Sequence, residues 1–398
     1  MTGTVQATAP IPFHVPDLGA GERDAVIEVL ESGWLTSGER VVAFEEAIQE
    51  SLGVRHAVAM NSATAALHLG LEAMGIGPDD EVIVPTYTFA ASGEVVRYLG
   101  ARPRLADVDP VTLNASAETI ADQLRPNTRA IMVVHFGGMT ADMDPILDLA
   151  RERSIRVIED AAHALPASRG GRAAGTFGDV GALSFYATKT VTTGEGGMLL
   201  TEDARIADRA RVMRLHGISR DAWKRYTASG SWFYEIEDVG YKYNLTDIAA
   251  AIGLVQLARA ESMRLAREEI ARLYGAAIAA AGIEDLIEPP AWPTTDVVHA
   301  WHLYPIRLHA ERLTIDRGTV IEQLKALGIA TSVHFIPLHL HPYYRRTYGY
   351  EVTDLPIATR EYEREISLPI YPSLGADGVS RVVDALATIL RSLSVDRR

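Results

Sequence analysis

Residues 157–200 read VIEDAAHALPASRGGRAAGTFGDVGALSFYATKTVTTGEGGMLL. An apolar run, Ile155, Val157 and Ile158, ends in the acidic pair Glu159-Asp160. A second, Ala182 to Phe185, is followed by a single lysine, Lys189, and a third, Met198 to Leu200, follows Gly194-Glu195-Gly196-Gly197. Short apolar runs separated by glycine-rich turns have the pattern of buried strands in an α/β sheet. Ligands of such sheets bind at the carboxyl ends of the strands. Asp160 and Lys189 both fall at such ends, so the fold can point a carboxylate and an amine into one crevice.

That pair suits pyridoxal phosphate. A lysine forms a Schiff base with its aldehyde, and an acid holds the pyridine nitrogen protonated so that the ring acts as an electron sink. The segment resembles the DegT/DnrJ/EryC1/StrS family of nucleotide-sugar aminotransferases. Their E-D-A-A-(H/Q), S-F-x-x-x-K and G-E-G-G patterns are met by Glu159 to His163, Ser184 to Lys189 and Gly194 to Gly197. The resemblance implies a fold type I aminotransferase: a large α/β domain with a mostly parallel seven-stranded sheet between helices, and a smaller C-terminal α+β domain. Residues 1–12 are small, polar and proline-containing and are expected to form a loose arm, with a large domain over 13–262 and, where the pattern changes to shorter strands and amphipathic helices, a small one over 263–398. Relatives with histidine at the lysine position remove a hydroxyl instead, so Lys189 points to transamination.

Composition narrows the alternatives. The chain has 398 residues, 47% of them apolar, which is ordinary for a globular enzyme. A net charge of −14 and a pI near 5.3 argue against nucleic-acid or membrane-surface binding. The absence of cysteine removes disulfides and thiolate chemistry. The N-terminal MTGTVQATAPIPFHVP lacks the charged and apolar regions of a signal peptide, and no apolar run approaches a membrane span, so a cytoplasmic protein is expected.

Outward from the central stretch, βα units repeat. Strands are expected at Arg55–Met60, Glu81–Pro85, Pro103–Val108, Arg129–His135 and Ile155–Asp160, with helices between, which means a largely parallel sheet. Asn61 to Leu67 joins the first strand to a helix through small hydroxyl residues. Free N–H groups and the helix dipole make that junction a phosphate site, though an ordinary N-cap at Ser62 or Thr64 reads equally well. The resemblance assigns the cofactor phosphate to the backbone of Ala63 and Thr64. It places Phe89, by itself a core phenylalanine, against the pyridine ring, and His163 near that ring. Ser184, at the end of its strand, could donate a hydrogen bond to the phosphate.

Trp34 to Gly38 reads as a helix–helix turn around a buried tryptophan; the resemblance sets this loop, with Trp34 and Thr36, beside the substrate. Ser219 to Asp238 is a long polar loop. In Gly240-Tyr241-Lys242-Tyr243-Asn244 many relatives have G-x-N-x-R. The family implies a homodimer in which this segment reaches the neighbouring subunit's phosphate, through Asn244 or alternatively Lys242. Further on, His299 to Tyr304 looks like the first strand of the small domain. The tract Ser332 to His341 contains His334, His339 and His341 without a nearby carboxylate, so His334 is read as a pocket residue facing the sugar nucleotide, and no metal is expected.

The expected activity is transfer of an amino group from L-glutamate to a keto-sugar carried on a nucleotide diphosphate. EDAAHA, GYKYNLTD and HAWHLY resemble the branch acting at C4 of a dTDP- or UDP-linked 4-keto-6-deoxyhexose or 4-keto pentose. A 3-keto substrate is the alternative. An NAD-dependent sugar-nucleotide enzyme would need a G-x-G-x-x-G fingerprint after a first strand, and none occurs. A non-catalytic sensor on the same scaffold would be expected to lose Lys189 or Asp160, and both are present.

Overall fold

The computed structural model describes residues 9–218 and 234–392. Residues 1–8 of the expected arm and 219–233 of the expected polar loop lie outside the described residues. Two helices open the described chain, α1 (Ala20–Ser32) and α2 (Glu39–Leu52). Next come β1 (His56–Met60), α3 (Ala63–Ala73), β2 (Glu81–Pro85), α4 (Ala90–Tyr98), β3 (Arg102–Ala106), α5 (Ala117–Ala121), β4 (Thr128–Val134), α6 (Met143–Arg153) and β5 (Arg156–Asp160). The short β6 (Ser168–Arg169) and β7 (Arg172–Ala173) precede β8 (Val180–Ser184) and β9 (Gly197–Thr201), and α7 (Ala204–Met213), α8 (Asp247–Ala258) and α9 (Ala260–Ala281) follow.

The main sheet has seven strands in the order β1-β9-β8-β5-β4-β2-β3. From β8 to β3 every pairing is parallel, while β9 runs antiparallel to both β1 and β8. Most of its strand residues are apolar and buried because helices cover both faces, with the charged residues mainly toward strand ends, as Arg102 in β3 and Arg156 in β5. EVIVP of β2 and GMLLT of β9 are buried at every residue. Side chains alternate across the sheet, so Ile158 of β5 packs with the α3 side while Val157 packs with the α6 side.

Beyond α9 the chain forms β10 (Ile287–Glu288), β11 (Val297–Val298), β12 (Tyr304–Leu308), α10 (Arg317–Ala326), α11 (Pro342–Tyr348), α12 (Pro356–Arg364), β13 (Glu365–Leu368) and α13 (Gly375–Ser392). Strands β10, β12 and β13 make an antiparallel sheet. Helix α13 covers it with Val379, Val382, Val383, Leu386 and Leu390, spaced at helical period. Helix α9 serves two cores: Met263 packs with Leu245 and Phe185, whereas Ile270, Tyr274 and Ile278 pack with Ile306 and Leu386. Among the described residues no helix is long and apolar enough to cross a membrane.

Two expectations are corrected. The end of the N-terminal arm is not loose: Ile11 is buried, its N–H donates to the Gly328 carbonyl at 2.8 Å, and its carbonyl accepts from Ala330 N–H at 2.9 Å. An isoleucine there has a core to enter. His299 to Leu303 is also not a strand, since β12 begins only at Tyr304. The segment bonds to a loop of the large sheet instead, with Ala300 N–H donating to Gly138 and Leu303 N–H to Gly137. Trp301 turns through a φ of 49°, which a strand cannot contain.

Candidate active site

At its carboxyl end β5 places two acidic side chains on opposite faces. Glu159 is fully buried and accepts from His135 Nε2 at 2.8 Å, Gly175 N–H at 2.8 Å and Gly178 N–H at 2.6 Å. His135 Nδ1 in turn accepts from Ala141 N–H at 3.1 Å, so its proton sits on Nε2. These bonds fix the strand end. Asp160 points the other way, into a cavity of about 580 Å³. Its Oδ2 accepts from Ser92 Oγ at 2.7 Å and its Oδ1 from Ala162 N–H at 3.2 Å. Burial pushes its carboxyl up; the two hydrogen bonds and the positive charge of Lys189 oppose that. Thr88 Oγ1, 2.7 Å from Ser92 Oγ, orients the serine.

Lys189 lies on the turn beyond β8, not at the strand end itself, and its N–H donates to the Tyr186 carbonyl at 2.9 Å. Its Nζ is 3.4 Å from His302 Nε2. Burial lowers the amine to about 8, with Asp160 pulling in the opposite direction. A lysine of this kind is partly neutral near physiological pH, as a nucleophile and proton carrier must be.

The opposite end of the cavity meets the start of α3. Ser62 is the N-cap, its Oγ accepting from Ala65 N–H at 3.1 Å, and Ala63 and Thr64 line the cavity where the first helical N–H groups lack intrahelical partners. Ser184 lines the same end, its Oγ accepting from Tyr186 N–H at 3.3 Å. The glycine run completes this corner, because a Cβ on Gly197 would lie 2.2 Å from the Ser62 carbonyl carbon and 2.5 Å from Ala63 N.

Phe89 and His163 form the sides. Phe89 is 62% exposed, which excludes the core-residue reading and leaves a ring face for a planar ligand. His163 Nδ1 accepts from Gly137 N–H at 3.3 Å, and its ring stacks on Phe335 at 5.7 Å. His334 lines the cavity too. The structure thus brings together Ala63, Thr64, Phe89, Asp160, His163, Ser184, Lys189 and His334.

Three residues stand apart from this cavity. Trp34, Thr36 and Asn244 form a separate cluster: Trp34 Nε1 donates to the Ser37 carbonyl at 3.0 Å, and Asn244 Nδ2 to Ser37 Oγ at 2.8 Å. The Thr36 carbonyl accepts from Asp247 N–H at 3.2 Å. Lys242, the alternative to Asn244, donates to Asn244 Oδ1 at 2.6 Å, so both belong to this cluster. Trp34 is half-buried, not a core residue.

Sequence reasoning overlooked Ser92, His302, Phe335, Phe13 and His14. A serine or phenylalanine far from any motif carries no local signal; only the alternation of Thr86 to Ser92 after a strand could have pointed to Ser92. His302 Nδ1 and His14 Nε2 are buried without a hydrogen-bond partner among the described residues. The histidine-rich tract is satisfied by protein partners: His339 bonds Thr86 and Thr359, and His341 lies 3.2 Å from the Ile336 carbonyl.

A buried amine, a buried carboxylate and a helix N-terminus around one cavity fit pyridoxal phosphate, so fold and site together define an aminotransferase dependent on that cofactor. The sequence profile of the DegT/DnrJ/EryC1/StrS aminotransferase family matches residues 16–387, and the chain belongs to that family. It is 50% identical over 379 residues to the uncharacterized protein MJ1066 of Methanocaldococcus jannaschii, covering 95% of this chain and 97% of that one. It is 46% identical over 382 residues to the spore coat polysaccharide biosynthesis protein SpsC of Bacillus subtilis, covering 96% and 97%. The PMP form of Spr1654 from Streptococcus pneumoniae superposes with a TM-score of 0.89 at 32% identity, over 96% of this chain and 99% of that one.

Proposed function

We propose that this aminotransferase moves the amino group of L-glutamate to C4 of a nucleotide-linked 4-keto-sugar, a dTDP- or UDP-4-keto-6-deoxyhexose or 4-keto pentose. The observation that carries the transferase reading is the Lys189–Asp160 pair, an amine lowered to about 8 and a buried carboxylate lining one cavity of about 580 Å³. Support for a sugar acceptor is the relative named for polysaccharide biosynthesis. Support for C4 is the set of branch-like motifs EDAAHA, GYKYNLTD and HAWHLY.

Bound pyridoxal phosphate supplies an electron sink that accepts an amino group from the donor and passes it on. Lys189 Nζ takes the proton from the donor's α-carbon as general base and returns a proton to the sugar carbon as general acid. Asp160, oriented by Ser92, holds a positive charge at the floor of the site. The α3 N-terminus, through Ala63 and Thr64, and the hydroxyl of Ser184 receive a phosphate. Phe89 and His163, which line the cavity, would contact the cofactor's ring, and His334 would face the acceptor.

We read the functional unit as a homodimer. Trp34, Thr36, Lys242 and Asn244 lie outside the cavity that Lys189 and Asp160 line, and in this reading they complete the partner's site. We set the division between the large and the small domain between residues 262 and 263; the passage of α9 from one core to the other supports it.

The test is the visible spectrum of the purified protein. Yellow protein should bleach on addition of L-glutamate, and a 4-keto nucleotide sugar should restore the colour. Colour restored by 3-keto substrates alone would move the reading to the 3-keto alternative. A colour that glutamate leaves unchanged would remove glutamate as the donor.

A further inference from the structure

Strand β13 sets Glu365 and Ser367 two positions apart on one face, and both are fully buried. Ser367 Oγ is 2.5 Å from Glu365 Oε1, and His334 Nδ1 is 2.9 Å from Ser367 Oγ. The backbone N–H of His334 donates to Glu365 Oε2 at 3.0 Å. Ser332 and Ser367 exchange backbone hydrogen bonds of 3.2 and 2.9 Å, which hold the segment leading to His334 along β13. Phe13 stacks on the imidazole at 5.5 Å. With Nδ1 engaged, Nε2 is the nitrogen His334 offers to the cavity it lines.

A hydroxyl has one proton, so this chain has two neutral-imidazole states. When Glu365 is ionised, Ser367 donates to the carboxylate, His334 Nδ1–H donates to Ser367 Oγ, and Nε2 presents a bare lone pair. When Glu365 is protonated, its O–H donates to Ser367, Ser367 donates to Nδ1, and Nε2–H faces the cavity. The two states differ by one proton.

We propose that His334, Ser367 and Glu365 form a proton relay that takes a proton from the incoming amino donor at His334 Nε2 and stores it on Glu365. The donor's ammonium N–H bond breaks as Nε2–H forms, Nδ1–H passes to Ser367 Oγ, and the serine proton passes to Glu365 Oε1. Each bonding pair stays on the atom that gives up its proton. The reverse sequence protonates the newly formed amine, so the store empties once per turnover. The role in turnover rests on the transaminase reading; the two states of the relay do not.

The electrostatics favour the carboxyl as the resting place. Burial raises Glu365 to about 8, opposed by Ser367, the His334 N–H, Arg317 and Arg307. Burial and the positive charge of Lys189 lower His334 to about 4. Arg307 faces Glu365 from β12 but bonds Glu288, and Arg317 of α10 bonds the Tyr362 carbonyl. Glu361 of α12 and Tyr87 share this surrounding, and His163 and His302 face His334. Among the described residues no cation pairs directly with Glu365.

The experiment uses the full chain loaded with cofactor and labelled with ¹⁵N-histidine, the His334 signals being assigned by their loss in His334→Gln. In the wild type the imidazole proton should move from Nε2 to Nδ1 as pH rises through about 8, with the ring neutral throughout. Glu365→Gln, which donates to Ser367 at every pH, should hold His334 in the Nε2–H form. Ser367→Ala should uncouple His334 from this transition while leaving the fold intact. Stopped-flow bleaching by L-glutamate should slow about 10²-fold in Glu365→Gln above pH 8 and be nearly unchanged below it, where the wild-type store is already filled. A wild-type His334 with one tautomer across this range, or a Glu365→Gln protein that switches as the wild type does, overturns the relay. Normal switching in a protein that glutamate does not bleach would overturn the donor reading and the relay's place in turnover, but not its two states.

Discussion

At the floor of the cavity Asp160 ends a parallel strand, with Val134 of β4 and Ala182 of β8 in register on either side. Across the cavity His302 comes from a segment outside any strand, held where Ala300 and Leu303 bond to Gly138 and Gly137 and where the fully buried Trp301 packs in the core that β12 and α13 share. The first arrangement cannot shift without breaking several ladder hydrogen bonds. The second has no ladder and is set by side-chain packing and loop hydrogen bonds from elements distant in sequence. In the proposed mechanism this difference is a division of labour: the floor carries the reaction, and the wall sorts what is brought to it.

The largest effects should therefore come from the floor. Lys189→Ala should lower the rate of bleaching by L-glutamate about 10⁴-fold or more, because in the proposed mechanism that amine is both the nucleophile and the proton carrier. Asp160→Asn should cost about 10³-fold in the same measurement while leaving the protein able to bind cofactor, since it removes a charge without removing volume. Substitutions on the wall, such as Phe335→Ala, should change the preference between keto-sugars more than the glutamate half-reaction. A wall substitution that slows the glutamate step as much as Asp160→Asn would break the comparison.

The same contrast explains what could be read from the sequence. Strands β1 to β5 and the acidic pair at the end of β5 show in short apolar runs, because a buried parallel strand must be apolar along its length. Asp160, Lys189 and Ser62 sit within a few residues of such runs, so their place follows from local pattern. Ser92 and His302 do not. Each reaches the site from an element whose position is set by tertiary packing: Ser92 by the first turn of α4, His302 by a backbone path that only the Gly137–Gly138 loop makes possible. The misreading of His299–Leu303 as a strand has the same origin, since alternating aromatic and aliphatic residues mimic a strand when the competing hydrogen bonds lie far away in sequence. Trp34, read beside the substrate, and Asn244, read as reaching the neighbouring subunit's phosphate, lie outside the cavity lined by Lys189 and Asp160.

Lys189 also leaves a mark on stability. Its amine falls from 10.5 to about 8 in the folded chain. The unfolded chain therefore binds more protons between these pH values, and the cofactor-free protein gains stability as pH rises across that window. Below about 8 the amine is protonated in both states and the burial penalty is present in full. The whole increment is about 3 kcal/mol by the usual conversion of pKa difference to free energy, less where solvent reaches the amine. Lys189→Met should stabilise the cofactor-free protein relative to wild type more at pH 7 than at pH 10, by up to that amount, in denaturant titrations. A difference that does not change with pH would mean the amine is not depressed, and the floor would lose the feature that sets it apart from the wall.

The smallest effect expected tests how closely the floor is fitted. A Cβ on Gly197 would lie 2.2 and 2.3 Å from the Ser62 carbonyl carbon and oxygen and 2.5 Å from Ala63 N, all backbone atoms that cannot swing aside. Gly197→Ala must then displace the start of α3 relative to β9. Gly77, with no atom within 4 Å of its would-be Cβ, provides the control. If the α3 N-terminus receives the phosphate, Gly197→Ala should weaken pyridoxal phosphate binding about 10-fold, or about 1.4 kcal/mol, a magnitude in line with the helix-terminus contribution to anion binding. Binding of pyridoxal, which lacks the phosphate, should hardly change, and Gly77→Ala should affect neither. The ratio of the two affinities is the decisive quantity, because a general loss of stability lowers both together. An unchanged ratio would remove the phosphate from the α3 end and leave only Lys189 and Asp160 to define the floor.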